Sequence, residues 1–197
     1  MTEKSISKAA AHAEMEDRVF WVFGYGSLMW DSWEQRFSSG TKTKAVVAGV
    51  RRVFNKASVE NWGTKQAPGP TLNVEKSAHH ICEGFAFSFT EADRPQVLKY
   101  LQKREGGFEF ELLPVKLDDG DGIMSYIPIY RGKNLISNKT TEQLVQMAFD
   151  ASGKSGRCLD YVAKIAKQLT ALGIIDHAVS AFQQSLENQL KRVSHQA

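Results

Sequence analysis

The sequence predicts an α+β fold in which a curved, barrel-like sheet with flanking helices is followed by a helical C-terminal third. Two observations favour this class. Segments with the alternation and the β-branched or aromatic composition of strands fill most of the chain as far as Tyr130. Segments with apolar residues at helical spacing fill the last third. Many strands followed by several helices are typical of an α+β domain with one core.

Six segments have the composition of strands. The first, Arg18–Phe23, is an apolar run, and a longer one over Thr43–Phe54 is expected to bend at Gly49. The Asp118–Gly122 segment is a strong turn sequence, so the strands on either side are expected to pair as a hairpin. The 58–70 segment, rich in Gly, Pro and Asn, predicts a long loop, and such loops are often functional. The remaining predicted strands are Thr71–Val74, Cys82–Phe89, Phe108–Leu117 and Ile123–Tyr130.

Four helices are expected, over about 93–105, 140–151, 159–172 and 176–192. Glycines at 106 and 107 favour a C-terminus for the first helix, and Gly173 does so for the third. Thr140 and Gln143 match a capping box that opens the second helix. Asp176 is placed to cap the fourth.

Length and composition fit a single domain over 18–192, preceded by a polar tail over 1–17 that is expected to be disordered. The formal net charge is +3 and the basic residues are dispersed, so nothing indicates a nucleic-acid partner. No stretch approaches the ~18 apolar residues that a membrane span needs. Cys82 and Cys158 are far apart and show no zinc-ligand spacing, which favours reduced thiols in a cytoplasmic protein without a metal site.

The segment Gly24-Tyr25-Gly26-Ser27 directly follows the first predicted strand. Two glycines one residue apart can turn the backbone sharply, tolerate positive φ and let a ligand approach the main chain. Successive N–H groups in such a turn form a nest for a carboxylate or phosphate. Met29 stands where a dinucleotide fingerprint or a nucleophile elbow requires glycine, and no Gly-Lys-Ser/Thr follows. The alternative is a glycine turn that only closes a buried strand.

Three separated segments, taken together, resemble the γ-glutamylcyclotransferase superfamily and its ChaC-like branch. Phe23-Gly24-Tyr25-Gly26-Ser27-Leu28 is similar to the family's substrate loop. The Tyr100–Phe108 segment resembles its catalytic segment, Tyr-Leu-x-x-Arg-Glu followed by glycine and an aromatic residue. Gly153–Tyr161 resembles the Gly/Ser turn and tyrosine of the ChaC branch, as Arg51-Arg52-Val53-Phe54 also does. The resemblance implies a mixed β-barrel with flanking helices.

The resemblance also implies an intramolecular reaction that needs no cofactor. The α-amino group of a γ-glutamyl compound attacks its own γ-carbonyl, 5-oxoproline forms, and an amine or peptide leaves. Glu105 is then the catalytic acid/base residue, and Ser27 is a hydrogen-bond donor rather than a nucleophile. The substrate-binding residues implied are Gly24, Tyr25, Gly26, Ser27, Leu28 and Tyr161.

The position of Glu105 in the sequence suits a residue that accepts and then donates a proton. A helix C-terminus disfavours negative charge, and Phe108 and Tyr100 are near enough in sequence to desolvate the carboxylate, so both effects are expected to raise its pKa. The alternative is a solvated glutamate at a helix end. Two competing carboxylates, Glu109 and Glu111, are expected to face solvent if the phenylalanines that alternate with them face the core.

Other candidates have structural alternatives. Tyr161 is at helical spacing with Ile165 and fits a core aromatic equally well, and Ser27 fits a turn cap. Arg51 and Arg52 point to opposite faces of a strand, so at most one reaches the site, and a surface role is favoured for each.

The sequence therefore favours a γ-glutamylcyclotransferase for a small-molecule substrate, with glutathione as the leading one because the ChaC-like features are the clearer ones. One alternative is a cyclotransferase for another γ-glutamyl amine or amino acid, which the 58–70 loop would decide. The other is a non-catalytic binding module of the same fold. The oligomeric state is left open.

Overall fold

The computed structural model describes residues 18–30, 32–37, 40–104 and 106–194. The tail expected over 1–17 lies outside the described residues. So does Glu105, the predicted acid/base residue.

Five strands form a closed barrel in the order β1-β3-β2-β4-β5. β1 pairs antiparallel with β3 and parallel with β5, and β2 pairs antiparallel with β4, so the sheet is mixed, as predicted. The Asp118–Gly122 turn joins the neighbouring strands β4 and β5. The strands are β1 Val19–Gly24, β2 Thr41–Ser58, β3 Gly69–Thr90, β4 Phe108–Leu117 and β5 Gly122–Tyr130.

The helices begin and end close to the positions that their caps predict. Thr140 and Gln143 exchange both hydrogen bonds of a capping box, and Asp176 accepts a hydrogen bond from the Val179 N–H. The helices are α1 Arg94–Arg104, α2 Thr141–Asp150, α3 Cys158–Ala171 and α4 His177–Ser194, with two short strands, β6 Ser152–Gly153 and β7 Gly156–Arg157, before α3. Within the described part of the chain, no helix is both long and apolar enough to cross a membrane.

The described chain forms two compact units. The first contains 18–48 and Glu83–Ile129, with a core of packed aromatic rings in which Trp33 lies 5.1 Å from Phe87 and 5.4 Å from Phe89 between ring centroids. The second contains Gly49–Cys82 and 130–194, where the rings of Phe54 and Phe182 stack at 4.2 Å. A single domain over 18–192 stays a prediction.

One long strand replaces two predicted short ones. Thr71–Val74 and Cys82–Phe89 both belong to β3, which continues through the 75–81 segment between them. Most side chains of that segment are exposed, including Ile81 at 63%. Its backbone forms part of the strand although its composition is polar, so the sequence pattern gave no strand prediction there. The predicted long loop is correspondingly limited to 59–68.

Candidate active site

The predicted substrate loop, Gly24–Leu28, lies where β1 ends and a short 3-10 turn over Ser27–Met29 begins. The Met29 N–H donates to the Gly26 carbonyl at 2.9 Å and closes the turn. Gly24 and Gly26 were expected to tolerate positive φ, but neither residue has it, and Gly26 lies at φ −135°. Glycine is required at position 24 for steric reasons, because a Cβ there would lie 2.8 Å from the Cβ of Leu28.

The loop residues differ in exposure. Gly24, Tyr25 and Leu28 are buried, whereas Gly26 is half-buried and Ser27 is exposed. The Tyr25 hydroxyl donates to the Pro128 carbonyl at 2.7 Å, which ties its side chain to β5. Gly26 and Ser27 are thus the more accessible residues of the loop.

Side chains from three other segments bind the carbonyl groups of the turn. Arg104, at the end of α1, donates to Ser27 O at 3.2 Å. The indole N–H of Trp33 donates to Leu28 O at 3.0 Å, and Lys42 Nζ on β2 donates to Met29 O. A trans peptide directs its C=O and the N–H of the next residue in opposite directions. The contact with Ser27 O therefore orients the Leu28 N–H, whereas the Met29 N–H is already used by Gly26 O and the contact with Met29 O orients the Trp30 N–H.

The end of α1 is held against the loop by aromatic stacking as well. Tyr100 stacks on Trp33 with ring centroids 5.9 Å apart and planes 5° from parallel. Its hydroxyl accepts a hydrogen bond from Arg104 at 3.3 Å. The two segments of the sequence resemblance, the loop and the Tyr-Leu-x-x-Arg-Glu segment, are therefore in direct contact through Arg104, the residue that precedes Glu105.

The β4 glutamates only partly follow the expectation. Val115 and Leu117 are buried, and alternation along β4 places Glu109 and Glu111 on the same face as these two residues. Glu109 is exposed, as expected, but Glu111 is half-buried. The phenylalanines that alternate with them are half-buried rather than core residues, which is why the expectation fails at Glu111.

Tyr161, on α3, lies in the second unit and is buried. Its hydroxyl oxygen accepts a hydrogen bond from the Leu72 N–H at 3.0 Å, and its ring lies 5.3 Å from that of Trp62 in the 59–68 loop. These contacts agree with the alternative of a packed aromatic, and a substrate-binding role for Tyr161 stays a prediction.

The 59–68 loop of the second unit is paired with the Gly/Ser turn of the third similar segment. The N–H groups of Lys154 and Ser155 donate to the carbonyls of Glu60 and Asn61 at 2.9 and 2.8 Å. A Cβ on Gly153 would lie 2.6 Å from the Asn61 backbone, so the close approach requires glycine. Lys154 also pairs with the Glu60 carboxylate at 2.5 Å and lowers its pKa through that hydrogen bond. The 59–68 loop is therefore held by backbone hydrogen bonds and an ion pair to the turn at 153–155.

The sequence analysis missed Trp33 and Lys42 as contacts of the substrate loop. Trp33 follows Leu28 by five residues, and its indole N–H was a usable signal because buried indoles normally find an acceptor. The contact of Lys42 could not be predicted from the sequence, because Lys42 lies on β2 and contacts Met29 O in the separate 3-10 turn.

The architecture is that of the γ-glutamylcyclotransferase fold. The crystal structure of a selenomethionine-labelled γ-glutamyl cyclotransferase specific to glutathione from yeast superimposes with a TM-score of 0.76 at 16% identity, over 87% of this chain and 97% of that one. A family model described as ChaC-like protein matches residues 20–189, and the chain belongs to this family.

Two curated relatives extend the comparison. Gamma-glutamylcyclotransferase 2-3 of Arabidopsis thaliana is 30% identical over 186 residues, which cover 89% of this chain and 90% of that protein. Glutathione-specific gamma-glutamylcyclotransferase of Escherichia coli K12 is 28% identical over 184 residues, covering 90% of this chain and 78% of that protein.

Proposed function

We propose that the protein is a γ-glutamylcyclotransferase that converts glutathione to 5-oxoproline and cysteinylglycine. The observation that carries the proposal is the hydrogen bond from Arg104 to Ser27 O. Arg104 directly precedes Glu105 in the sequence, so this bond connects the end of the predicted catalytic helix to the substrate loop. Membership of the ChaC-like family supports the reaction, and the glutathione-specific names of the yeast and E. coli relatives support the substrate.

The reaction needs orientation and one proton shuttle. The substrate's α-amine loses a proton and its nitrogen bonds to the γ-carbonyl carbon. The bond from that carbon to the cysteine nitrogen then breaks, and this nitrogen takes up a proton. Atoms balance without water, since glutathione yields only the two products. Good alignment contributes about 7–11 kcal/mol in intramolecular reactions, and an acid/base group adds about 10²–10⁴-fold.

Glu105 is the proposed acid/base residue, and the loop is the proposed carboxylate site. Backbone N–H groups of the Tyr25–Leu28 turn would bind the glutamyl α-carboxylate, with the exposed Ser27 hydroxyl as a further donor. The cationic side chains of Arg104 and Lys42, both bound to carbonyls of the turn, favour an anion at this loop.

A second candidate is a cyclotransferase for another γ-glutamyl amine or amino acid. The 30% identical Arabidopsis relative is named as a γ-glutamylcyclotransferase without mention of glutathione, which supports this second candidate. The hydrogen-bonded 59–68 loop is the element to which the sequence analysis assigns such a difference in substrate.

The test is to incubate the purified protein with glutathione, γ-glutamylalanine and γ-glutamyl-ε-lysine and to quantify 5-oxoproline with each leaving group. We expect 5-oxoproline and cysteinylglycine in equal amounts, with the highest kcat/KM for glutathione. A higher kcat/KM for another γ-glutamyl compound would support the second candidate instead. Binding of these compounds without any product would support the non-catalytic module.

We place this activity in the cytoplasm. Cys82 and Cys158 are both buried and unbridged, which favours a compartment that keeps thiols reduced. Fractionation of cells that produce the tagged protein tests this, with 5-oxoproline release expected in the cytosolic fraction.

A further inference from the structure

Lys42 contacts the end of the 3-10 turn and two β3 side chains that lie beside the start of the substrate loop. Its Nζ donates to Met29 O at the end of the 3-10 turn. The same ammonium lies over the Phe85 ring, 4.2 Å from its centroid, and Phe85 is the cross-strand partner of Gly24 at the start of the loop. The Phe87 ring lies 5.7 Å from the ammonium, and a Cβ on Gly24 would be 3.0 Å from that ring. Lys42 is therefore held between the end of the turn and the β3 side chains that pack beside Gly24.

These contacts restrict where the ammonium can be. Cation–π contacts and a charge-assisted hydrogen bond hold a flexible lysine stem in one direction, although the side chain is exposed. The contact with Met29 O fixes the C-terminal end of the turn, as Trp33 and Arg104 fix the two carbonyls before it. The contacts of an exposed lysine contribute little to the free energy of folding. A role for Lys42 in substrate binding by the loop therefore fits better than a role in protein stability.

We propose that Lys42 is a positioning residue for the γ-glutamyl carboxylate: it holds the C-terminal end of the turn through Met29 O, and its positive charge beside the loop favours the bound anion. This inference rests on the proposed function. Lys42 has no part in the proton transfer. Because the carboxylate is bound in both the ground state and the transition state, loss of Lys42 weakens both equally and raises KM while leaving kcat unchanged.

The test compares Lys42→Met, which keeps the apolar stem, with Lys42→Arg, which keeps the charge. Lys44→Met is the matched control, since it removes the same charge from the same face of β2 two residues away. We expect Lys42→Met to raise the KM for glutathione about tenfold with kcat within about twofold. Lys42→Arg should restore most of the affinity. Lys44→Met should change KM and kcat by less than about twofold.

A substrate analogue separates a carboxylate effect from a general loosening of the loop. In this analogue, 4-aminobutanoyl replaces the glutamyl group, so only the α-carboxylate is missing. Measured by calorimetry in a Glu105→Gln background, where turnover is expected to be suppressed, the Lys42→Met change should weaken glutathione binding about tenfold and leave binding of the analogue unchanged. Equal weakening of both compounds, or a fall in kcat at constant KM, would overturn the proposal.

The same binding measurement distinguishes failure of this inference from failure of the proposed function. If the wild type releases no 5-oxoproline but binds glutathione more tightly than the analogue, and Lys42→Met abolishes that difference, Lys42 retains its role and only the catalytic proposal fails. If the wild type does not distinguish glutathione from the analogue, the Lys42 proposal is wrong whether or not product forms.

Discussion

At the scale of single residues, two neighbouring arginines of β2 occupy opposite environments within the second unit. The Arg52 side chain is 1% exposed and pairs with Asp176, itself 11% exposed, at 2.9 Å. Arg51 pairs with Glu75 at 2.6 Å, but the two side chains are 48% and 38% exposed. Water screens the second pair, whereas desolvation makes the first pair costly to break.

Removing the acid of each pair should therefore have unequal effects. Asp176→Asn keeps an oxygen that can accept from the Val179 N–H, so the helix cap survives while the ion pair is lost. We expect it to lower the free energy of unfolding by about 3 kcal/mol, and Glu75→Gln to lower it by less than about 1 kcal/mol. Urea unfolding followed by circular dichroism measures both, and equal losses would contradict this account of burial.

The favoured surface role is correct for Arg51 and wrong for Arg52. Alternation along β2 places Arg52 on the face that also carries the buried side chains of Val50 and Phe54. Its partner, Asp176, is 124 residues away in the chain. A buried arginine was therefore predictable only with knowledge of a contact that the local sequence does not contain.

Cys158 provides a pH-dependent prediction at the same scale. Burial raises the pKa of its thiol from 9.0 to about 12, and the thiol donates to the Pro70 carbonyl at 3.4 Å. Because the folded-state pKa lies above the unfolded value, the stabilisation is complete below about pH 9 and is lost as pH rises towards 12.

Denaturant unfolding between pH 8 and pH 11 checks this difference in pKa. We expect the fall in unfolding free energy to be shallower in Cys158→Ala than in the wild type, even though the variant is less stable at pH 8 because of its cavity. Parallel pH profiles for the two proteins would show that the thiol ionises equally in both states.

At the scale of elements, the pairing of β1 with β3 depends on glycine at two positions. Gly24 ends β1, and its carbonyl lies so close to Gly84 that a Cβ on Gly84 would be 2.3 Å away. The same Cβ would also be 2.8 Å from the Phe23 ring. The first residue of the substrate loop is thus fixed by a backbone approach that only glycine permits.

Gly84→Ala should displace Gly24 and with it the loop. We expect a loss of about 1–3 kcal/mol in unfolding free energy and a raised KM for glutathione, since the methyl group meets backbone that cannot move aside easily. Gly122→Ala is the matched control because no atom lies within 4 Å of its added Cβ. Similar stability and KM in both variants would show that β1 and β3 can separate at little cost.

The elements that the sequence predicted well are those with local determinants. The capping box at Thr140 and the glycine at 173 fix helix ends through neighbouring residues. The polar middle of β3 and the two-residue strands β6 and β7 were missed because composition shows neither pairing with distant strands nor strands that short.

At the scale of the whole molecule, the barrel and its site depend on contacts between remote segments. The strand order β1-β3-β2-β4-β5, with β1 parallel to β5, cannot be derived from alternation alone. The sequence resemblance pointed to the loop and to the segment that contains Arg104, and the Arg104 contact with Ser27 O lies within one unit. Tyr161 belongs to the other unit, where it packs against Trp62, and its substrate-binding role stays a prediction.

The role of Glu105 is best tested by kcat/KM for release of 5-oxoproline from glutathione by wild type, Glu105→Gln and Glu109→Gln. We expect Glu105→Gln to lower kcat/KM about 10²–10⁴-fold through kcat, since a neutral amide cannot carry the proton. Glu109→Gln, which alters an exposed carboxylate four residues away, should stay within about threefold of wild type. Near-full turnover by a folded Glu105→Gln protein would contradict the assignment of the acid/base residue.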